Sequence, residues 1–143
     1  RGPNVFTGYW DDTAATEAAL AADGWLRTGD VGVVDDDGFL YLVDRAKDVV
    51  IVSGFNVFPA EVEEVLDRHP AVAEAAVVGV PDPRPGEAIR AFVVLAPGAS
   101  ATEDELVAFA AERLARYKCP TGVTFVDELP HGQAGKLLRR ALR

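Results

Sequence analysis

Apolar positions along this chain come in short runs, and the way they are spaced changes from run to run. Asp11 and Asp12 precede an alanine-rich stretch, Thr13 to Ala22, that predicts a short helix ending near Asp23-Gly24. Val31 to Val34 and Phe39 to Val43 are apolar runs joined by Asp35-Asp36-Asp37-Gly38, the pattern of a β-hairpin whose turn calls for positive φ at Gly38. Val49 to Val52 predicts a short buried strand, followed by a loop over Ser53-Gly54-Phe55-Asn56. Pro59 then opens a helix in which Val62, Val65, Leu66 and His69 share one face at i, i+3, i+4 and i+7.

Two longer apolar runs, Val72 to Val80 and Ala88 to Leu95, predict strands separated by Pro81-Asp82-Pro83-Arg84-Pro85-Gly86-Glu87, whose three prolines should stiffen the loop and keep it off the sheet. Thr102 with Glu105 has the spacing of a capping box for a second helix, with Leu106, Phe109, Ala110, Leu114 and Tyr117 as its stripe. Val123 to Val126 predicts a last strand, before a glycine-flanked lysine and a terminal helical turn. Strands and helices are interspersed and antiparallel pairings are expected. The predicted class is α+β, with small mixed or antiparallel sheets and packed helices.

The chain's 143 residues match one ordinary domain, and with 49% hydrophobic and 26% charged residues it can bury a core. Its 23 acidic and 14 basic residues give a formal net charge of -9, which argues against a general binder of nucleic acid or anionic membranes. The bases gather at the end as Lys136, Arg139, Arg140 and Arg143, a basic tail able to serve one phosphate-bearing ligand. One cysteine, Cys119, excludes an internal disulfide and a cysteine-rich zinc site, and makes a reducing cytoplasm the default. No apolar run approaches the roughly 20 residues that span a bilayer, and no signal peptide is visible. Arg1 at the start and the lack of methionine predict a piece of something longer.

Several polar clusters admit two readings each. Thr28-Gly29-Asp30 is either a turn capped by its aspartate or a carboxylate that accepts from two sugar hydroxyls. Asp44-Arg45-Ala46-Lys47-Asp48 is a solvated connection, or a joint in which Arg45 meets a ligand oxygen and Lys47 pivots. Gly54 makes a turn or lets a ligand approach the backbone. Lys136, behind Gly132-Gln133-Ala134-Gly135, is an ordinary solvated end or a cation on a flexible tip, presented to an anionic transition state. His69 and His131 lack partners for a metal or nucleophilic site, and no metal site is expected in this chain. His69 reads as half-buried packing, and Cys119 beside Pro120 as inert.

In their order and spacing, Gly24-Trp25-Leu26-Arg27-Thr28-Gly29-Asp30, Asp44 to Asp48, Ser53 to Pro59 with Glu61 and Glu63, Val80 to Pro83 with Gly86-Glu87, and Pro130 with Gly135-Lys136 resemble one family. It is the adenylate-forming superfamily of acyl-CoA synthetases, non-ribosomal peptide adenylation domains and beetle luciferases. The resemblance runs essentially end to end. It implies that residues 1–43 are the tail of a large N-terminal adenylation domain, 44–48 a hinge and 49–143 a C-terminal lid. Asp30 and Arg45 would then hold the ribose of ATP, Asp44 and Lys47 would belong to the hinge, and Lys136 would be catalytic, bridging the acyl carboxylate and the α-phosphate. With the lid turned, Gly54 and Phe55 would line the pantetheine tunnel of CoA. The Mg2+ site, phosphate loop and acyl pocket would lie in the N-terminal domain, so the fragment alone should be inactive. His131, Gln133 and Ala134 stand where the family often has a Ser/Thr-rich loop, and they leave the lysine intact.

The wording of Ser53 to Pro59 is closest to medium- and long-chain fatty-acid ligases. The expected function is therefore the C-terminal part of an ATP-dependent fatty-acid–CoA ligase, an acid–thiol ligase using ATP, Mg2+ and CoA. Its partner would be its own N-terminal domain, with no nucleic acid and no transmembrane segment, in the cytoplasm or peripheral at the membrane. The alternatives are an adenylation domain that loads a carrier protein, which a carrier domain directly downstream would favour, and a non-catalytic lid-like binding module. Retention of Asp30, Arg45, Lys47, Gly54 and Lys136 argues against the second.

Overall fold

Most of the apolar runs become elements, and the way these pair separates the chain into two bodies. The computed structural model describes residues 1–83 and 86–143; one unit is Arg1–Ala46 and the other Lys47–Arg143. In the first, helix α1 (Thr13–Ala19) is capped by Asp12, whose Oδ1 accepts from the Ala15 N–H at 2.8 Å. It ends three residues short of the predicted Ala22, because Leu20 is extended and bridges Leu26. Strands β1 (Asp30–Val34) and β2 (Leu40–Arg45) pair antiparallel around the predicted turn, where Gly38 has φ +86° and the Asp35 carboxylate accepts from the Phe39 N–H at 2.8 Å. The ribbon leaves Val33, Val34, Leu40, Tyr41 and Leu42 exposed. Two strands bearing that much open apolar surface are marginal by themselves and call for a covering partner.

The second unit opens with β3 (Val50–Val52) and β4 (Phe55–Val57), which correct the predicted loop. Ser53 and Gly54 both have positive φ, +51° and +84°, so a two-residue turn of the primed kind closes the hairpin and leaves Phe55 and Asn56 within a strand. Helix α2 (Pro59–Asp67) buries Val62, Val65 and Leu66; His69 lies beyond its end, half-buried, with its ring edge-on to Phe109.

β5 (Val72–Pro81) and β6 (Glu87–Leu95) pair antiparallel, and β7 (Gly122–Phe125) joins β6 in parallel after helix α3 (Glu103–Ala111). The order is β5-β6-β7. Pro81 is not in a loop: it ends β5 opposite Glu87, on an edge strand that tolerates a missing N–H. Arg84 and Pro85 of that predicted loop lie outside the described residues. The stripe assigned to α3 is also broken, since only Leu106 and Ala110 are buried on the helix, while Leu114 and Tyr117 reach the same core from the segment after it.

Leu66, Ile89 and Leu106 are fully buried at the centre of this unit, each contributing about 1.5–3 kcal/mol by removal from water. The run Ala75 to Val78 is buried on both faces, which is why it reads as continuously apolar. Both sheet edges are plugged by carboxylates: Glu63 accepts from the Val77 N–H at 2.8 Å, and Glu103 from the Val123 N–H at 3.0 Å. The capping box forms as the sequence predicts, Glu105 N–H donating to Thr102 Oγ1 at 3.2 Å and Thr102 N–H to Glu105 Oε2 at 2.7 Å. That bond holds the Glu105 carboxyl below its ordinary value, so its contribution is present above the unfolded-state value and fades as pH falls through the lowered one. Thr102→Ala should cost about 1 kcal/mol, read as a shifted urea midpoint at pH 7.

Candidate functional site

Asp30 opens β1 and Arg45 closes β2, and the register sets them directly opposite each other. Their side chains meet, Arg45 Nε donating to Asp30 Oδ1 at 3.1 Å. Cross-strand pairing thus brings together a carboxylate and a guanidinium that the sequence separates, at the end of a ribbon where a polar ligand has access. Asp44 Oδ1 accepts from the Arg45 N–H at 2.7 Å. The boundary between the two units falls between Ala46 and Lys47, inside the charged segment 44–48.

In the second unit the Ser53-Gly54 turn stands beside an open cleft of about 480 Å³, lined in part by Val52, Ser53, Glu87, Arg116, Tyr117 and Thr121. The β3–β4 hairpin is fastened to the sheet by Glu87, whose Oε2 accepts from the Ile51 N–H at 3.1 Å. Gly86 lies against the same strand with φ +113°, and a Cβ there would meet the Ile51 carbonyl at 2.8 Å, so only glycine permits this approach. Gly54 differs: a Cβ would meet nothing within 4 Å, and only its φ of +84° requires glycine. Phe55 stacks on Tyr117 at 4.6 Å between ring centroids. Cys119 also lines the cleft, and burial pushes its thiol up, away from the reactive thiolate.

Lys136 occupies a defined turn, not a loose tip. His131 and Leu137 form an antiparallel bridge, Gly132 N–H donates to the Lys136 carbonyl at 2.8 Å, and Leu138 N–H donates to the Pro130 carbonyl at 2.8 Å. Gly135, at φ +71°, reverses the chain. The Lys136 side chain is exposed, and among the described residues its ammonium has no ion-pair partner. Its backbone is therefore fixed while its charge stays available.

Sequence reasoning missed what lies behind that turn. Arg139 is no solvated tail residue: it forks onto Glu63 and faces Asp48. His131, read only as lacking partners for a metal or nucleophilic site, contacts Glu74 at 2.9 Å through Nε2 and the Leu129 carbonyl at 2.9 Å through Nδ1. The one available signal was the presence of Glu61 and Glu63 at the start of an otherwise apolar-faced helix; Glu61 accepts from Lys118 at 2.6 Å. Among the described residues no group of three or more His, Cys, Asp or Glu could hold a metal ion. No helix among them is long and apolar enough to cross a membrane.

The family model for the AMP-binding enzyme C-terminal domain matches residues 61–136. Over all 143 residues the chain is 57% identical to the 3-[(3aS,4S,7aS)-7a-methyl-1,5-dioxo-octahydro-1H-inden-4-yl]propanoyl:CoA ligase of Mycobacterium tuberculosis, covering 28% of it. It is 51% identical to a long-chain-fatty-acid–CoA ligase of Bacillus subtilis, with 99% of this chain and 25% of that protein covered. The crystal structure of ATP-bound MatB from Rhodopseudomonas palustris superposes with a TM-score of 0.94 at 41% identity, over 100% of this chain and 28% of that one. The chain therefore spans about a quarter of the length of the curated relatives it matches.

Proposed function

Because this chain belongs to the AMP-binding enzyme C-terminal domain family, we propose that it is the C-terminal part of an ATP-dependent fatty-acid–CoA ligase. In this reading residues 1–43 end a large N-terminal domain, 44–48 form the hinge with Lys47 as pivot, and 49–143 are the lid. The division at Ala46–Lys47 supports the hinge, and the exposed apolar ribbon supports an upstream sheet as its cover. The setting is the cytoplasm, with which a single cysteine is consistent, or the face of a membrane.

The observation that carries the reading is Lys136: an exposed ammonium, unpaired among the described residues, on a backbone turn closed by hydrogen bonds. In the first half-reaction a carboxylate oxygen of the acid attacks the α-phosphorus of ATP, and pyrophosphate leaves with the electron pair of the broken bond. Lys136 offsets the charge gathering on both reacting groups. Asp30 accepts from the ribose hydroxyls while Arg45, its partner at 3.1 Å, donates to a ribose oxygen. Magnesium carried by ATP would supply further charge neutralisation from the N-terminal domain. In the second half-reaction the CoA thiol loses its proton and attacks the acyl carbonyl, and AMP departs. The Gly54-Phe55 turn borders the path of the pantetheine arm.

The test is acyl-AMP formation with ATP, magnesium and a fatty acid. The complete protein should release pyrophosphate and form acyl-AMP, and the isolated 143-residue chain should form none, since a lid alone cannot position two reactants. Acyl-AMP from the isolated chain would overturn the division of labour. A complete protein that adenylates no carboxylic acid would overturn the enzyme reading. Transfer to a carrier protein in preference to CoA would establish the alternative acceptor.

A further inference from the structure

Three residues after Lys136 the chain makes a last helical turn, Arg139–Ala141, which packs against β5. Arg139 Nε and Nη2 donate to Glu63 Oε1 and Oε2 at 3.1 and 2.6 Å, and Nη1 stands 3.8 Å from Asp48 Oδ2. The three side chains are mostly withdrawn from water, Arg139 at 19%, Glu63 at 12% and Asp48 at 16% exposure. Glu63 is itself held by the Val77 N–H on β5. A two-bond fork between a guanidinium and a carboxylate fixes direction as well as distance, and partial withdrawal from water makes it harder to exchange for solvent. A surface pair would do neither.

We propose that Arg139 is the positioning residue for Lys136, and that the Glu63–Arg139–Asp48 cluster makes the lysine turn a rigid part of the lid body. This inference rests on the catalytic reading of Lys136 above. The turn is held at both ends. On the upstream side His131 contacts Glu74, with both side chains about a third exposed or more, a weak tether. On the downstream side the half-buried fork sets the position. Asp48 directly follows the proposed pivot Lys47, so the same guanidinium joins the lysine turn to the residue beside the joint. A rotation at Lys47 then carries Lys136 with it, delivering the ammonium to the α-phosphate in one orientation and withdrawing it fully in the other.

The experiment separates the two half-reactions in the complete enzyme. Arg139→Gln should lower the kcat of adenylation on the order of a hundredfold, because a displacement of about an ångström at a reacting group costs that much. The KM for ATP should hold, and transfer from supplied acyl-adenylate to CoA should stay within about twofold. Arg139→Lys, which keeps the charge and loses the fork, should recover part of the loss, and His131→Gln should do little. In a Lys136→Ala background Arg139→Gln should cost nothing more, since the positioned group is gone. Equal losses in both half-reactions for both Arg139 variants, or an additive cost in the Lys136→Ala background, would make the cluster purely structural and overturn the proposal. An impaired Lys136→Ala beside an unimpaired Arg139→Gln would overturn the positioning alone. An unimpaired Lys136→Ala would overturn the catalytic reading and this one together.

Discussion

Lys136→Ala in the complete enzyme should slow acyl-adenylate formation on the order of a hundred- to a thousandfold, the usual cost of removing one preorganised donor from a developing anion. The effect should be confined to that half-reaction. Supplied with ready-made acyl-adenylate, the variant should still pass its acyl group to CoA, because in the proposed cycle the lysine has been withdrawn before that step. The control is Arg140→Ala, an exposed cation four residues on, which removes the same unit of charge from the same segment and should change the rate little. Arg139, though a near neighbour, cannot serve as that control, since it is bound into the cluster with Glu63 and Asp48. Pyrophosphate release measured beside acyl transfer decides the matter. Near-normal adenylation in Lys136→Ala would make the residue an ordinary solvated end.

Gly54→Leu should impair the other half-reaction, on the order of a hundredfold in acyl transfer to CoA, while acyl-adenylate still forms. Two effects must be told apart at this position. Any side chain at φ +84° is strained by roughly 1–3 kcal/mol, which weakens the Ser53-Gly54 turn. A long side chain also fills the space beside the turn, which is open in this structure to at least 4 Å from a Cβ. Gly54→Ala carries the strain with little bulk. It should lower the thermal midpoint as much as Gly54→Leu does, yet keep most of the transfer rate. If both variants lose both half-reactions equally, the glycine serves only the turn, and no pantetheine passes beside it.

The elements that follow from neighbours in the chain are legible in the residues themselves. Pro59 and the Val62, Val65, Leu66 stripe specify α2, Thr102 and Glu105 specify the start of α3, and Asp35 to Gly38 specify a turn. Each depends on residues close together along the chain, where side-chain period and cap chemistry act directly on the backbone. The order of motifs around Asp30, Arg45, Gly54 and Lys136 is legible for the same reason, as short segments whose spacing survives without knowledge of the fold. Even so, the apolar pattern makes the Ser53-Gly54 turn two residues too long, although a Ser-Gly pair between apolar runs carries the signal for a two-residue reversal.

Partnership across the chain was decided by the tertiary structure alone. Nothing in the sequence pairs Arg139 with Glu63, 76 positions away, or Glu87 with the Ile51 N–H, because a charged side chain reads the same whether it faces water or a partner in the fold. Hydrophobic period tells which face of an element is buried but not against what, so the parallel placement of β7 on β6 was equally hidden. The sequence by itself determined the local elements and singled out the lysine proposed to work. The packing of α2 and the last turn onto β5 determined that this lysine stands on a fixed base, since only folding brings a half-buried carboxylate within 2.6 Å of the arginine behind it.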